Sequence, residues 1–345
     1  MATSGELGRR KHQLTRDPSM HQLAHGLWCR TDSPPDHVQR AMLLQRHLNC
    51  SGSSVRITGI TALQVLGIPI GPHYRWADRA LCHPAPPRGN DLDEHLHRVL
   101  HLSWHGERCK TRDPSILMTK SYGLGSYAGP WGSTLVHPVE ALVVAAPMMS
   151  RWALTAALDA LLVHRDLRPV DSTPAWTSQS CGEPLSLADI YSALGTLPPT
   201  SRAVMAVRTA LKSTQFPTLS PMETLTRLML LACGLPCPVM NFRVDTRLGY
   251  SLLDLAWPEH KTAIEFNGRV HSENHHAYKN EMYRNEVLRD LGWKLRIIVF
   301  DDLRDPARSV EWRTWLGRQL WVVPRFPAAG SRARTSVSRK GIHIR

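Results

Sequence analysis

Residues 252–271 read LLDLAWPEHKTAIEFNGRVH, and two acids stand in that stretch among apolar neighbours. The runs SLLDLAW (251–257) and KTAIEF (261–266) are β-prone and are separated by the turn-forming PEH. Side chains alternate along a strand, so Leu252, Asp254 and Ala256 are expected on one face. Ala263, Glu265 and Asn267 share a face of the next strand. Pairing the two runs brings Asp254 beside Glu265. A carboxylate that loses water without a partner costs several kcal/mol or takes up a proton. Two of them side by side ask for a proton or for a cation between them. Mg²⁺, with Mn²⁺ as its substitute, suits the second case: it takes carboxylate oxygens and keeps waters that a phosphate can replace.

The sequence on either side is equally readable. SPMETLTRLMLLACG (220–234) opens with Ser220 as N-cap, Pro221 in the first turn and Glu223 as a capping-box glutamate. Leu225, Leu228, Met229 and Ala232 follow at helical spacing, and Gly234 ends the helix. FRVD (242–245) and the turn-like TRLGY lead into the first of the two acidic strands. A helix is expected over about 277–291, closed by Gly292, then a strand in WKLRIIVF and a last helix within 306–320. The order is α-β-β-β-α-β: a three-stranded meander with a helical crossover to a fourth strand, in a mixed sheet.

Taken in order, SPME, DLAWP, IEFNGRVH, RNEVL and GWKLRII resemble the PD-(D/E)xK nuclease core. More narrowly they resemble its bacterial branch related to very short patch repair endonucleases, and the likeness covers about 218–305. It implies a restriction-endonuclease-like α/β core in which Asp254 and Glu265 ligate the metal, with the backbone carbonyl of Phe266 as third ligand. Glu223 would reach the site directly or through water, or serve only as the helix cap. His271 would act at the scissile phosphate as general acid/base or phosphate contact. Arg284 would neutralise phosphate or brace the acids, and Lys261 and Arg269 would meet the DNA backbone. Asn267 departs from the pattern, since the wider fold has lysine there and the narrower branch aspartate. An amide can neither serve as a base nor ligate strongly.

The remainder of the chain is less legible. Its 345 residues leave room for two or three domains at roughly 100–200 residues each. Turn-rich segments suggest divisions at 1–75, 76–215, 216–322 and 323–345. MHQLAHGLWCR, VRITGITALQVLGIPI and HPVEALVVAA faintly resemble type IV abortive-infection antitoxin proteins. That likeness implies a degenerate winged-helix-like segment and then an antitoxin-like α+β domain, together a mostly helical α+β region. No apolar run approaches the roughly 20 residues of a membrane-spanning helix, and the polar N-terminus lacks a signal's apolar core, so a cytoplasmic protein without a membrane partner is expected. Seven scattered cysteines read as free thiols packed as small hydrophobes, and no small-molecule cofactor is indicated.

The net charge of +13 is unevenly spread: 22 Lys/Arg against 16 Asp/Glu in 1–220, 11 against 12 in 221–305, and 9 against 1 in 306–345. Basic flanks around a near-neutral acid-bearing segment suit a polyanion, although excess charge alone also serves solubility. The leading expectation is a metal-dependent endodeoxyribonuclease acting on DNA, in repair or in phage or plasmid defence. Two alternatives stand beside it. One is an inactive nuclease-fold protein acting as an antitoxin-like DNA-binding regulator. The other takes the two acids as structural, paired with Lys261, Arg269 or Arg284.

Overall fold

The computed structural model describes residues 2–3, 17–71, 75–77, 80–82, 98–106, 111, 113–164, 184–247, 249–267 and 275–326. It is a mixed α/β protein whose chain forms two compact units. One holds Met1–Ile70, Ala85–Met149 and Leu161–Thr209, and the other holds Gly71–Pro84, Ser150–Ala160 and Ala210–Arg345. Of the basic tail expected from 323 onward, residues 327–345 lie outside the described set. No helix among the described residues is long and apolar enough to cross a membrane.

The first unit is built on a five-stranded mixed sheet, in the order Ile116–Lys120, Leu100–Trp104, Val55–Ile57, Thr134–Val136, Ser126–Ala128. These strands are three to five residues long, too short to display the alternation that would have announced a sheet in the sequence. Ile57, Leu100, Leu102 and Leu135 are fully buried within it. The helices Gly59–Val65 and Pro138–Ala145 pack closely. Gly59 lies at φ +54°, and a Cβ there would meet the His101 ring at 2.5 Å and Val144 at 3.0 Å, so only glycine fits. The helix His37–Cys50 starts at a capping box between Asp36 and Gln39. Its buried Gln45 spans to two strands: Nε2 donates to Val55 O (3.0 Å) and Thr134 O (2.6 Å), while Oε1 accepts from Thr134 N (3.0 Å).

The second unit carries the α-β-β-β-α-β run. The helix Pro221–Ala232 precedes the strands Val239–Thr246, Gly249–Trp257 and Thr262–Phe266; the helix His275–Asp290 then crosses to Lys294–Ile298. The four strands pair in sequence order, the first two junctions antiparallel and the last parallel. Phe300–Arg304 and Pro306–Leu320 close the fold. One core cluster joins Leu225 and Met229 to Met240, Leu255, Ile264, Trp312 and Leu316. A second joins Val244, Leu253, Ala256 and Ala263 to Leu288 and Trp293. Beneath the first helix Arg227 pairs with Asp159 at 2.7 Å, both side chains almost wholly buried. Among the described cysteines, Cys29 and Cys233 are buried as small hydrophobes, whereas Cys50 and Cys237 are exposed and depart from that expectation.

Candidate active site

The start of the Pro221–Ala232 helix sets the first acid. Ser220 Oγ accepts from Glu223 N at 3.2 Å, as an N-cap serine should. Glu223 does not close a capping box on Ser220. Its Oε2 instead accepts from Leu219 N (3.1 Å) and from Asn241 Nδ2 (2.7 Å), and the residue is 5% exposed. The expected capping box is thus absent, and the carboxylate instead ties the segment before the helix, through Leu219, to the first strand, through Asn241.

Asn241 is the residue that pattern reading overlooked. It lies at φ 48° inside a strand, a left-handed conformation that asparagine tolerates better than most residues. Its flanking pairs, Met240 with Leu255 and Phe242 with Leu253, set it opposite Asp254. The pleat breaks across that pair. Leu253 and Ala256 belong to the same core cluster although three residues apart, while Leu255 belongs to the other. The simple alternation that put Leu252, Asp254 and Ala256 on one face therefore fails: Leu252 is exposed, Asp254 half-buried and Ala256 buried. Regular pairing to the third strand begins only at Leu255, and the Asp254 side chain takes up the free amide, with Oδ2 accepting from Phe266 N at 2.8 Å. Phe266 thus meets Asp254 through its N–H.

Glu265 lies on the third strand just before that amide. Arg284, from the crossover helix, grips both of its oxygens, Nη1 to Oε2 at 3.1 Å and Nη2 to Oε1 at 3.2 Å, and also donates to Leu252 O at 2.6 Å. Burial pushes Glu265 up to about 7, and the Asp254 charge adds to this while the Arg284 bonds pull the other way. Burial likewise lifts Asp254 to about 6, with the Phe266 N–H opposing and Glu223 reinforcing. Glu223 is raised mainly by burial, and the Glu265 charge reinforces that shift. The three acids therefore feel one another, with Arg284 as the cation bound among them.

The other expected residues are distributed unevenly. Asn267 sits beside the acids, its N donating to Ile298 O at 2.8 Å and its side-chain amide reaching Glu281 Oε1 at 3.5 Å. Lys261 is held away: its Nζ donates to Leu291 O at 3.0 Å, satisfying the end of the crossover helix. Trp293 is buried and tilts against Phe242 in the core. His271 and Arg269 lie outside the described residues.

Among the described residues, no three His, Cys, Asp or Glu side chains converge as a ready-made metal cluster. Mg²⁺ needs less than that, since one or two carboxylates and several waters suffice. Asp254 and Glu265 supply such a pair, and burial drives both toward protonation, a tendency that a divalent cation would reverse. The donor set fits, on the condition that Glu265 is shared with or released by Arg284.

Two proteins of Mycobacterium tuberculosis are similar to part of the chain: uncharacterized protein MT2308 (strain CDC 1551 / Oshkosh) and uncharacterized protein Rv2248 (strain ATCC 25618 / H37Rv). Each is 33% identical over 113 residues, which is 31% of this chain and 40% of the relative. The match thus spans less than half the length of these relatives. No family model matches the chain, and no solved structure does.

Proposed function

We propose that the second unit is a PD-(D/E)xK-type endonuclease that hydrolyses DNA phosphodiester bonds with Mg²⁺. The observation that carries this reading is the acid cluster: Glu223, Asp254 and Glu265 are drawn into one desolvated neighbourhood with one bound arginine. A purely structural cluster has no need of three mutually repelling carboxylates. Asp254 and Glu265 would hold the ion, which when bound supplies Lewis acidity toward a phosphoryl oxygen. Arg284, released from Glu265, would meet the negative charge of the phosphate. Asp254 is held in place by the Phe266 amide, and Glu223 by Leu219 and Asn241, so neither carboxylate has to be ordered when substrate arrives. His271 would deliver a proton to the leaving oxygen, a role the Asn267 amide has no means to perform. The basic flanks would hold the backbone, and host repair or defence against phage or plasmid DNA would be the setting.

A second reading draws on two observations. Asn267 lacks the charge of the usual lysine or aspartate, and Arg284 already closes both oxygens of Glu265. On that reading the protein is an inactive nuclease fold that binds DNA as a regulator. Supercoiled plasmid incubated with Mg²⁺, Mn²⁺ or EDTA separates the two, beside Glu265→Gln. Metal-dependent nicking that disappears in the variant supports the enzyme. Retention of DNA at low salt without any cutting supports the regulator, and cutting that persists in the variant defeats the assignment of the site.

A further inference from the structure

The first unit contains a cleft of about 1130 Å³ between the helix His37–Cys50 and the turn at 130–133, with Met42, Leu43, Arg46 and Trp131 among its lining residues. Trp131 is its most unusual member. The residue is 76% exposed, and its backbone lies at φ 53° and ψ 33°, a left-handed conformation that a bulky side chain rarely adopts. The turn that presents it is tightly closed. Gly129 N donates to Ser133 O (2.8 Å), Ser133 N to Pro130 O (3.1 Å), and Ser133 Oγ to Pro130 O (2.8 Å). A Cβ on Gly129 would lie 2.2 Å from Ser133 Oγ and would displace that hydroxyl from its bond to Pro130 O. The opposite wall is tied to it as well, because Gln45 bonds both the N–H and the C=O of Thr134, next to the turn. Two sets of hydrogen bonds thus fix the backbone that carries the exposed indole at the edge of the cleft.

Arg46 follows Gln45 on the same helix, is exposed, and makes no ion pair among the described residues. Arg30, also lining the cleft, pairs with Asp17 at 3.3 Å on the exposed surface, a contact weak enough to be exchanged. Asp32 is the acid on the rim. The cleft therefore offers an exposed indole, the apolar side chains of Met42 and Leu43, and two guanidinium groups in an otherwise polar lining. From this geometry we infer that the cleft binds single-stranded nucleic acid, one base stacked on Trp131 and backbone phosphates on Arg46 and Arg30. A duplex keeps its base faces covered and has nothing to lay on the indole. The cationic side chains favour a phosphate-bearing chain over a peptide. The inference is independent of the nuclease reading, since every residue it uses lies in the first unit.

The test uses the full chain in EDTA and an oligothymidylate of about twelve nucleotides, close to the span of known single-strand sites. Fluorescence anisotropy should give salt-dependent binding that Trp131→Gly weakens roughly tenfold or more, the loss of one stacked base. Glycine is at ease at that φ, so the variant should keep or raise its thermal midpoint. Arg46→Gln should flatten the salt dependence by about one phosphate. Ultraviolet crosslinking of a bromodeoxyuridine oligonucleotide to the native chain should place its adduct on Trp131 in the tryptic fragment 121–151. Adducts found only elsewhere would overturn the inference, as would unchanged affinity in a folded Trp131→Gly or equal dependence on Trp131 for duplex DNA. So would protection of Trp131 by a proline-rich peptide but not by the oligonucleotide.

Discussion

Two arginine–carboxylate pairs in the second unit have the same chemistry and opposite surroundings. Arg227 and Asp159 meet at 2.7 Å with side chains 2% and 1% exposed. Asp159 also accepts from Gln215 N and Thr224 Oγ1, and Arg227 donates to Ser213 O. Arg284 and Glu265 meet at 3.1 Å with side chains 29% and 14% exposed, and Asp254 and Glu223 stand close enough to disturb them. The first pair matches one charge to one charge and adds neutral partners on both sides, although Arg227 Nε is left without one. In the second, one arginine serves Glu265 and Asp254 while Glu223 adds a third charge to the neighbourhood. A closed pair of the first kind holds a fold together, whereas an excess of desolvated negative charge is suited to receiving a cation. Under the proposed function, the Arg284 ion pair and a metal-bound form would be two states of Glu265.

Removing one partner of the closed pair should have the largest effect. Asp159→Ala strands a buried guanidinium, and a loss of about 3–5 kcal/mol in urea-unfolding stability is expected. Replacing both partners together with apolar residues of similar volume should recover most of that loss. An equal loss in the single and double replacements would mean that packing, not charge, sets the value. Glu265→Gln should act in the other direction. It removes a repelling charge, so stability at pH 8 should hold or rise, while metal-dependent nicking falls roughly a hundredfold or more. A variant that both unfolds and stops cutting would make the two pairs alike and remove the contrast.

The comparison also has a pH signature. Asp254 stands near 6 against an ordinary 3.8, and Glu265 near 7 against 4.5, so the folded state binds their protons more tightly than the unfolded state does. Their stabilisation is full below about pH 4 and is lost as pH rises through 6 to 7. In EDTA, urea-unfolding stability should therefore fall between pH 5 and 8, by on the order of 4 kcal/mol for the pair. Saturating Mg²⁺ should reduce that fall. In the first unit His137 has the opposite sign: burial holds it at about 4, so its contribution is present above 6.5 and is lost as pH drops through 4. Subtracting the Glu265→Gln curve from the parent curve cancels His137 and leaves the Glu265 share together with what its charge adds to Glu223. A flat difference curve would mean that Glu265 titrates alike in both states.

What the sequence displays and what it conceals follow from the range of each interaction. The helix Pro221–Ala232, its serine cap and the strands around Asp254 and Glu265 are set by neighbours a few residues apart, and patterning finds them. Gly234 and Gly292 sit at φ +73° and +83° where the helix ends were expected. The Asp159–Arg227 pair joins residues 68 positions apart, and neither residue stands out in its own segment. Asn241 alters the pleat opposite Asp254, and only the paired strand reveals it. Arg284 was open between a phosphate contact and a brace, and a sequence carries no rotamer to decide between them. Trp131 is inconspicuous within GPWGS until its backbone angle and exposure are known.

The smallest expected effect comes from Asn267, the position where the chain departs from the nuclease pattern. Its amide already lies 3.5 Å from Glu281 Oε1, so Asn267→Asp sets a new carboxylate against an existing one beside the acid cluster. The exposed part of that repulsion is screened, and a stability loss below about 1 kcal/mol is expected in EDTA. With Mg²⁺ the added acid should bind the cation or hold a proton acceptor near it, so nicking should rise, by less than about tenfold if His271 already moves the limiting proton. A rise of a hundredfold or more would make Asn267 the cause of a weak site and return the role of base to this position. No change in either stability or rate would leave Arg284 as the group that limits the site, and Arg284→Gln would then be the variant in which Mn²⁺ affinity should increase.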